Sequence, residues 1–132
     1  MTGLVVVTHA RIGQELLRAA EIIVGKIEQA EAVNIEPSDQ VDSIREVIEG
    51  AVKRVAGDEG VIIMTDMFGG TPSNLSLSFL EENRVEVLTG VNLPMLIKFS
   101  TERSRQTLSE LARLLRDRSR DGILVAGEYL KK

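Results

Sequence analysis

No cysteine occurs in the 132 residues, which excludes disulfide frameworks, thiolate nucleophiles and cysteine-bound zinc and suits a reducing compartment. Aromatic residues make up only 3% of the chain and tryptophan is missing. Lysines and arginines are interspersed with acidic residues instead of alternating with aromatic ones, and the net charge is −4. Nucleic acid is therefore not an expected partner. Internal repeats, low-complexity tracts and Pro/Ser linkers are also absent. Long apolar runs are lacking too: the opening stretch Gly3 to Thr8 has no basic segment before it and is too short for a signal peptide or a membrane span. The protein is expected to stay where it is made, in the cytoplasm. Histidine is scarcest of the chemically versatile residues, with one, at position 9.

What remains is ordinary globular material, 43% hydrophobic and 27% charged, in a length that fits one domain over residues 1–132. No metal or cofactor is needed to fold it. β-branched apolar runs alternate with segments whose apolar residues recur at helical spacing, the pattern of successive βα units around a parallel sheet. Leu4–Thr8 reads as the first strand, followed by a helical stripe of Ile12, Leu16, Leu17, Ala20, Ile23 and Ile27. Ala32–Ile35 reads as the second strand; Pro37-Ser38-Asp39 then turns into a helix carrying Val41, Ile44, Val47, Ile48, Ala51, Val52 and Val55. Val61–Thr65 is a continuous apolar run, expected of a central strand covered on both faces. A short helix through Leu75 to Leu80, a fourth strand at Val85–Thr89, a helix beginning at Pro94 and an amphipathic helix through Leu108 to Leu115 follow. Ile123–Ala126 has the length of one more strand, with no obvious partner in its own chain. The right-handed crossover rule favours an α/β, three-layer open sheet of four parallel strands in order 2-1-3-4 with helices on both faces.

In such a sheet the ligand crevice lies outside the carboxyl ends of the strands, where neighbouring crossovers leave in opposite directions. His9 follows strand 1, Asp66 follows strand 3 and Gly90–Pro94 follows strand 4, so all three share one rim. A carboxylate beside an imidazole accepts from one ring N–H, fixes the tautomer and leaves the other nitrogen free to attack. Asp66 on Nδ1 implies chemistry at Nε2. In the string Asp66-Met67-Phe68-Gly69-Gly70-Thr71-Pro72-Ser73-Asn74, Gly69 and Gly70 allow close backbone approach and Pro72 suits the first turn of a helix whose free N–H groups welcome an anion. Thr71 falls at the expected N-cap, where its hydroxyl could donate to a phosphoryl oxygen or simply cap the helix. Asp66 could also serve as a cap, and Asn92 either supports the site or tolerates an awkward backbone angle. Arg11 reads as a surface arginine of the first helical turn and is left out of the site.

Thr8-His9, the nine residues from Asp66 to Asn74, and Gly90-Val91-Asn92-Leu93-Pro94-Met95-Leu96 together resemble enzyme IIA of the mannose and fructose family of the bacterial phosphoenolpyruvate-dependent sugar phosphotransferase system, over essentially the whole chain. The resemblance implies a phosphotransferase whose His9 is phosphorylated by the histidine-containing phosphocarrier protein and passes the group to an enzyme IIB partner. Contact with the membrane would be indirect, through the sugar permease. Asp66 would orient the ring and Thr71 would bond the phosphoryl group. The resemblance also implies a homodimer formed by exchanging a C-terminal strand antiparallel onto the partner's sheet, which assigns residues 120–130 that role. Phe68 replaces the tryptophan of many members, and Ala10-Arg11 replace a glycine and an aromatic residue found in some.

Three other readings compete, one of them a non-catalytic ligand-binding or oligomerisation module with a decayed site, against which the intact His9, Asp66 and Thr71 argue. A receiver domain carries an aspartate after its third strand but needs magnesium held by an acidic cluster after strand 1, where this chain has Thr8-His9-Ala10. A regulatory or dihydroxyacetone-kinase-type phosphohistidine carrier would keep His9 and change only the destination of the phosphate.

Overall fold

A computed structural model of the chain describes residues 1–131. Its elements are β1 (Gly3–His9), α1 (Ile12–Val24), β2 (Ala30–Ile35), α2 (Val41–Val55), β3 (Val61–Thr65), α3 (Gly70–Leu77), β4 (Val85–Thr89), α4 (Leu93–Glu102), α5 (Leu108–Asp121) and α6 (Ala126–Tyr129). The four strands form one parallel sheet in the order β2-β1-β3-β4, as expected.

Alternation along β1 explains the layers. Leu4 and Val6 join Ile62 and Met64 of β3 against Ala20 of α1, Met95, Leu96 and Phe99 of α4 and Leu111 and Leu115 of α5. Val5 and Val7 face the other way, with Val33, Ile35 and Ile63, onto Ile44, Ile48, Ala51 and Val55 of α2 and Leu75 of α3. Successive strand side chains point to opposite faces, and both faces here are covered, so β1 and β3 need apolar residues at consecutive positions. Every residue of β3 is buried. Each fully buried Val, Leu or Ile contributes about 1.5–3 kcal/mol of apolar transfer, before the opposing chain entropy is counted.

The helical stripes run truer in their centres than at their ends. Gly25, at φ 88°, ends α1 after Val24, and Ile27 is buried from the loop beyond instead of from the helix. Ile12 and Ile23 of the expected α1 stripe are exposed, as are Val41 and Val47 of α2. β2 begins at Ala30, two residues before the expected start.

The C-terminus of the single chain differs most from the expected elements. Ile123–Ala126, expected as a strand, forms none: Ile123 to Val125 are irregular and Ala126 opens the single turn of α6. A strand without a neighbouring edge leaves its N–H and C=O groups unpaired. Here the backbone closes local bonds instead, with Tyr129 N donating to Val125 O at 3.0 Å and Leu130 N to Ala126 O at 2.9 Å. Ile123, Leu124, Val125, Tyr129 and Leu130 are all exposed.

Two contacts hold the far end of β1. Arg103, 5% exposed at the end of α4, donates Nε and Nη2 to the Thr2 carbonyl at 3.0 and 2.7 Å and lies 4.7 Å from the Phe99 ring centroid. Burial lowers its pKa, and the charge of Glu28 partly counters that shift.

Candidate functional site

Sheet register brings the site together. Val7 of β1 stands opposite Thr65 of β3, so His9 and Asp66, two residues and one residue further on, leave adjacent strands at one edge. The segments that leave this point go to opposite faces, α1 after β1 to one and α3 after β3 to the other.

Local chemistry shapes each approach. Thr8, fully buried, points toward the α1 layer, and its Oγ1 accepts the Gly13 N–H at 2.8 Å, a capping role that Arg11 at the N-cap does not fill. A Cβ on Gly13 would lie 2.8 Å from Val6 Cγ1, so the start of α1 packs directly on the sheet. Ala10 turns the chain between strand and helix with φ 49° while its N–H donates to Ile35 O at 2.8 Å. Left-handed backbone is uncommon for a residue with a Cβ and is held where surrounding bonds enforce it. His9 is thereby set on the edge with its side chain 47% exposed.

Asp66 meets it from β3. Its Oδ2 accepts the His9 backbone N–H at 3.0 Å and lies 2.8 Å from Nδ1, while the side chain is only 12% exposed. A carboxylate accepts and cannot donate, so Nδ1 carries the hydrogen, and in the neutral ring Nε2 keeps its lone pair. Asp66 Oδ1 is buried with no hydrogen-bond partner among the described residues. A carboxylate desolvated on one oxygen depends the more on the donors at the other.

The glycine loop closes over Nε2. Gly69 and Gly70 have φ values of 91° and 81°, and a Cβ on Gly70 would lie 3.1 Å from His9 Cε1 and 3.3 Å from Nε2. Backbone with no side chain therefore lies against the free nitrogen. Gly69 is the N-cap of α3, so Thr71 is the second helical residue and not the cap expected from sequence; no side chain caps this helix. Thr71 is exposed and shares the wall of a hollow of about 470 Å³ with His9, Ala10, Ile35, Pro37 and Val41. The hydroxyl of Thr71 and the free N–H groups of the first turn of α3 thus border the space beside the imidazole.

Asn92 does not join them. Its Oδ1 accepts the Met95 N–H at 3.0 Å as the N-cap of α4, its Nδ2 donates to Ser119 O at 3.2 Å, and it lines a separate hollow with Thr89, Arg116 and Ile123. Two residues of the site neighbourhood escaped the sequence reading. Thr8 was legible as the partner of His9 in a motif but not as the cap of α1. Ser73, fully buried, bonds both Thr65 and Met67; a serine after Pro72 reads as an ordinary helix start and gives no sign of this.

Comparison with known proteins gives the family and the fold. Residues 3–115 match the family model described as the PTS system fructose IIA component. The fructose-specific EIIA component of Bacillus subtilis is 28% identical over 133 residues, covering 100% of this chain and 91% of that protein. The mannose-specific EIIAB component of Escherichia coli K12 is 27% identical over 92% of this chain, which spans 38% of that longer protein. Among solved structures, the phosphotransferase system component EIIA from Streptococcus agalactiae superposes with a TM-score of 0.87 at 23% identity, covering 97% of this chain and 99% of that one. The mannose/sorbose-specific IIA subunit from Enterococcus faecalis gives 0.83 at 24% identity over 94% and 93% of the two chains. These structural likenesses carry the fold.

Proposed function

The chain belongs to the family of PTS fructose IIA components, and from that premise we propose that it carries a phosphoryl group on His9 Nε2 between two protein partners in sugar uptake. The donor is the histidine-containing phosphocarrier protein and the acceptor an enzyme IIB. The observation that carries the reading is the 2.8 Å contact between His9 Nδ1 and Asp66 Oδ2, with bare glycine backbone against the opposite ring nitrogen.

In the forward step the Nε2 lone pair forms a bond to phosphorus as the bond from phosphorus to the donor nitrogen breaks, and the electron pair of that bond leaves with the donor. The ring becomes an imidazolium, whose charge the Asp66 carboxylate stabilises through Nδ1–H. Thr71 and the first-turn N–H groups of α3 donate to the phosphoryl oxygens. Transfer of this kind depends on positioning and charge stabilisation more than on covalent help from the protein. The second step reverses the sense: the nucleophile of the IIB partner attacks phosphorus and Nε2 regains its pair. Exposed Met67 and Phe68 at the rim give a protein partner apolar surface to cover. The site works in the cytoplasm, and sugar selection rests with the permease. Among the described residues, no helix is long and apolar enough to cross a membrane.

Incubation with phosphoenolpyruvate, enzyme I and the phosphocarrier protein, followed by intact mass measurement, tests the reading. One phosphate adduct forms on the unaltered chain and none on His9→Ala; an adduct that survives the substitution places the chemistry elsewhere.

A further inference from the structure

Asp66 has to hold one orientation for His9 to present Nε2, yet it begins a loop, and among the described residues its side chain bonds only His9. What holds the loop is Ser73, in the first turn of α3. Its hydroxyl lies 2.7 Å from Thr65 Oγ1 and donates to the carbonyl of Met67. Proton bookkeeping fixes the directions. A carbonyl only accepts, so the single Ser73 proton goes to Met67, and Thr65 must donate its own proton to Ser73 Oγ. The chain runs Thr65 O–H to Ser73 O–H to Met67 C=O, with Thr65 and Ser73 both fully buried. Its two ends bracket Asp66 in sequence, one residue before and one after. Hydrogen bonds sheltered from water in this way are strong and costly to leave half-made.

We propose that Ser73 is a positioning residue for phosphoryl transfer, tying the Thr65 side chain and the Met67 carbonyl together on either side of Asp66 so that its carboxylate fixes the tautomer and direction of the His9 ring. The proposal rests on the reading of His9 as the phosphoryl acceptor, and its first consequence is visible without any donor. Because the chain holds one histidine, the imidazole region of a ¹⁵N-labelled sample reports this ring alone.

Three variants separate the clamp from general stability. Ser73→Ala removes the central link, and Thr65→Val removes only the outer one with little change of shape. Ser76→Ala deletes another buried serine of α3 whose Oγ donates to Pro72 O at 2.6 Å and does not touch the loop. In the unaltered protein the neutral ring is protonated at Nδ1. In Ser73→Ala the Nε2-protonated form becomes populated, and single-turnover transfer slows roughly tenfold or more, the scale expected when a reacting group drifts by a fraction of an ångström to an ångström. Thr65→Val moves both readouts the same way by less, and Ser76→Ala leaves both unchanged.

An unchanged tautomer in folded Ser73→Ala overturns the proposal. Should that variant fail to fold by circular dichroism, an unchanged tautomer in Thr65→Val overturns it instead. Losses in Ser76→Ala equal to those in the other two also overturn it, since they mark α3 stability and not the clamp as the cause. If the unaltered chain accepts no phosphate while the tautomer still follows Ser73, the carrier reading fails and the clamp stands.

Discussion

At the scale of single residues, the site depends on an atom that is not there. Gly70 combines φ 81° with a ring contact that a Cβ would meet at 3.1 and 3.3 Å. Gly70→Ala therefore pays twice: about 1–3 kcal/mol for a left-handed non-glycine backbone, and a push against the His9 ring beside Nε2, the atom proposed to take the phosphoryl group. Urea unfolding should show the stability loss, and transfer should slow by more than that loss explains, because over 90% of the chains remain folded under assay conditions at ordinary stabilities of about 5–15 kcal/mol. Gly69→Ala, at φ 91° but with nothing within 4 Å of its Cβ position, should show a comparable stability loss and a smaller effect on rate. Equal slowing in the two variants would mean that space against the ring is not what Gly70 provides. The pairing of His9 with Asp66 was legible in the sequence because topology alone puts the ends of strands 1 and 3 side by side. The roles of Thr71 and Asn92 were less so. A helix start can slide by two residues without any change in composition, and this one did, which moved Thr71 off the cap. Asn92 has donors and acceptors suited to either task, and only the positions of Met95 and Ser119 decide between them.

Among the elements, α5 shows how a polar sequence is made into a helix. Thr107 accepts the Glu110 N–H at 3.3 Å while Glu110 Oε1 accepts the Thr107 N–H at 3.0 Å, a reciprocal capping box. The Thr107 backbone N–H, and after it the side-chain hydrogen bond with Thr107, hold the Glu110 carboxyl below its ordinary pKa of 4.5. A carboxylate with a lowered pKa contributes stability that is fully present above its unfolded value and is lost as pH falls through the folded one. Thermal denaturation followed from about pH 6 down to about pH 3 should therefore show the unaltered protein losing more of its melting temperature than Glu110→Gln, and the two curves should run parallel above about pH 6. A constant gap across the whole range would remove the charge of Glu110 from the helix's stability. Element identity was readable throughout the sheet and the long helices, because burial on two faces imposes apolar runs on the central strands β1 and β3 and amphipathic spacing on the helices that cover them. Ends were harder to place. Gly25 stops α1 by its backbone angle while the apolar pattern runs on to Ile27, and the core takes Ile27 from a loop.

For the molecule as a whole, the question is what the C-terminal segment is for. Residues 123–130 include five large apolar side chains, all exposed, and α6 contributes no buried residue. Apolar burial stabilises by about 25 cal/mol per Å² removed from water, so a β-prone run left entirely outside the core of its own chain is unaccounted for by the folding of one subunit. The sequence marked this stretch as a strand because its composition is that of one; within the single chain it pairs with neither edge strand, β2 nor β4, and Ala126 to Tyr129 coil into one turn. Exchange onto the sheet edge of a second copy would satisfy both the backbone and the apolar side chains. The expected outcome is that the full chain sediments as a dimer at micromolar concentration, while a chain ending at Gly122 sediments as a monomer of nearly unchanged sheet stability, because each described residue removed is exposed. Sedimentation velocity and urea unfolding of the two chains check this together. A full chain that stays monomeric, or a shortened chain that still pairs, would show that the dimer, if there is one, is built from some other surface.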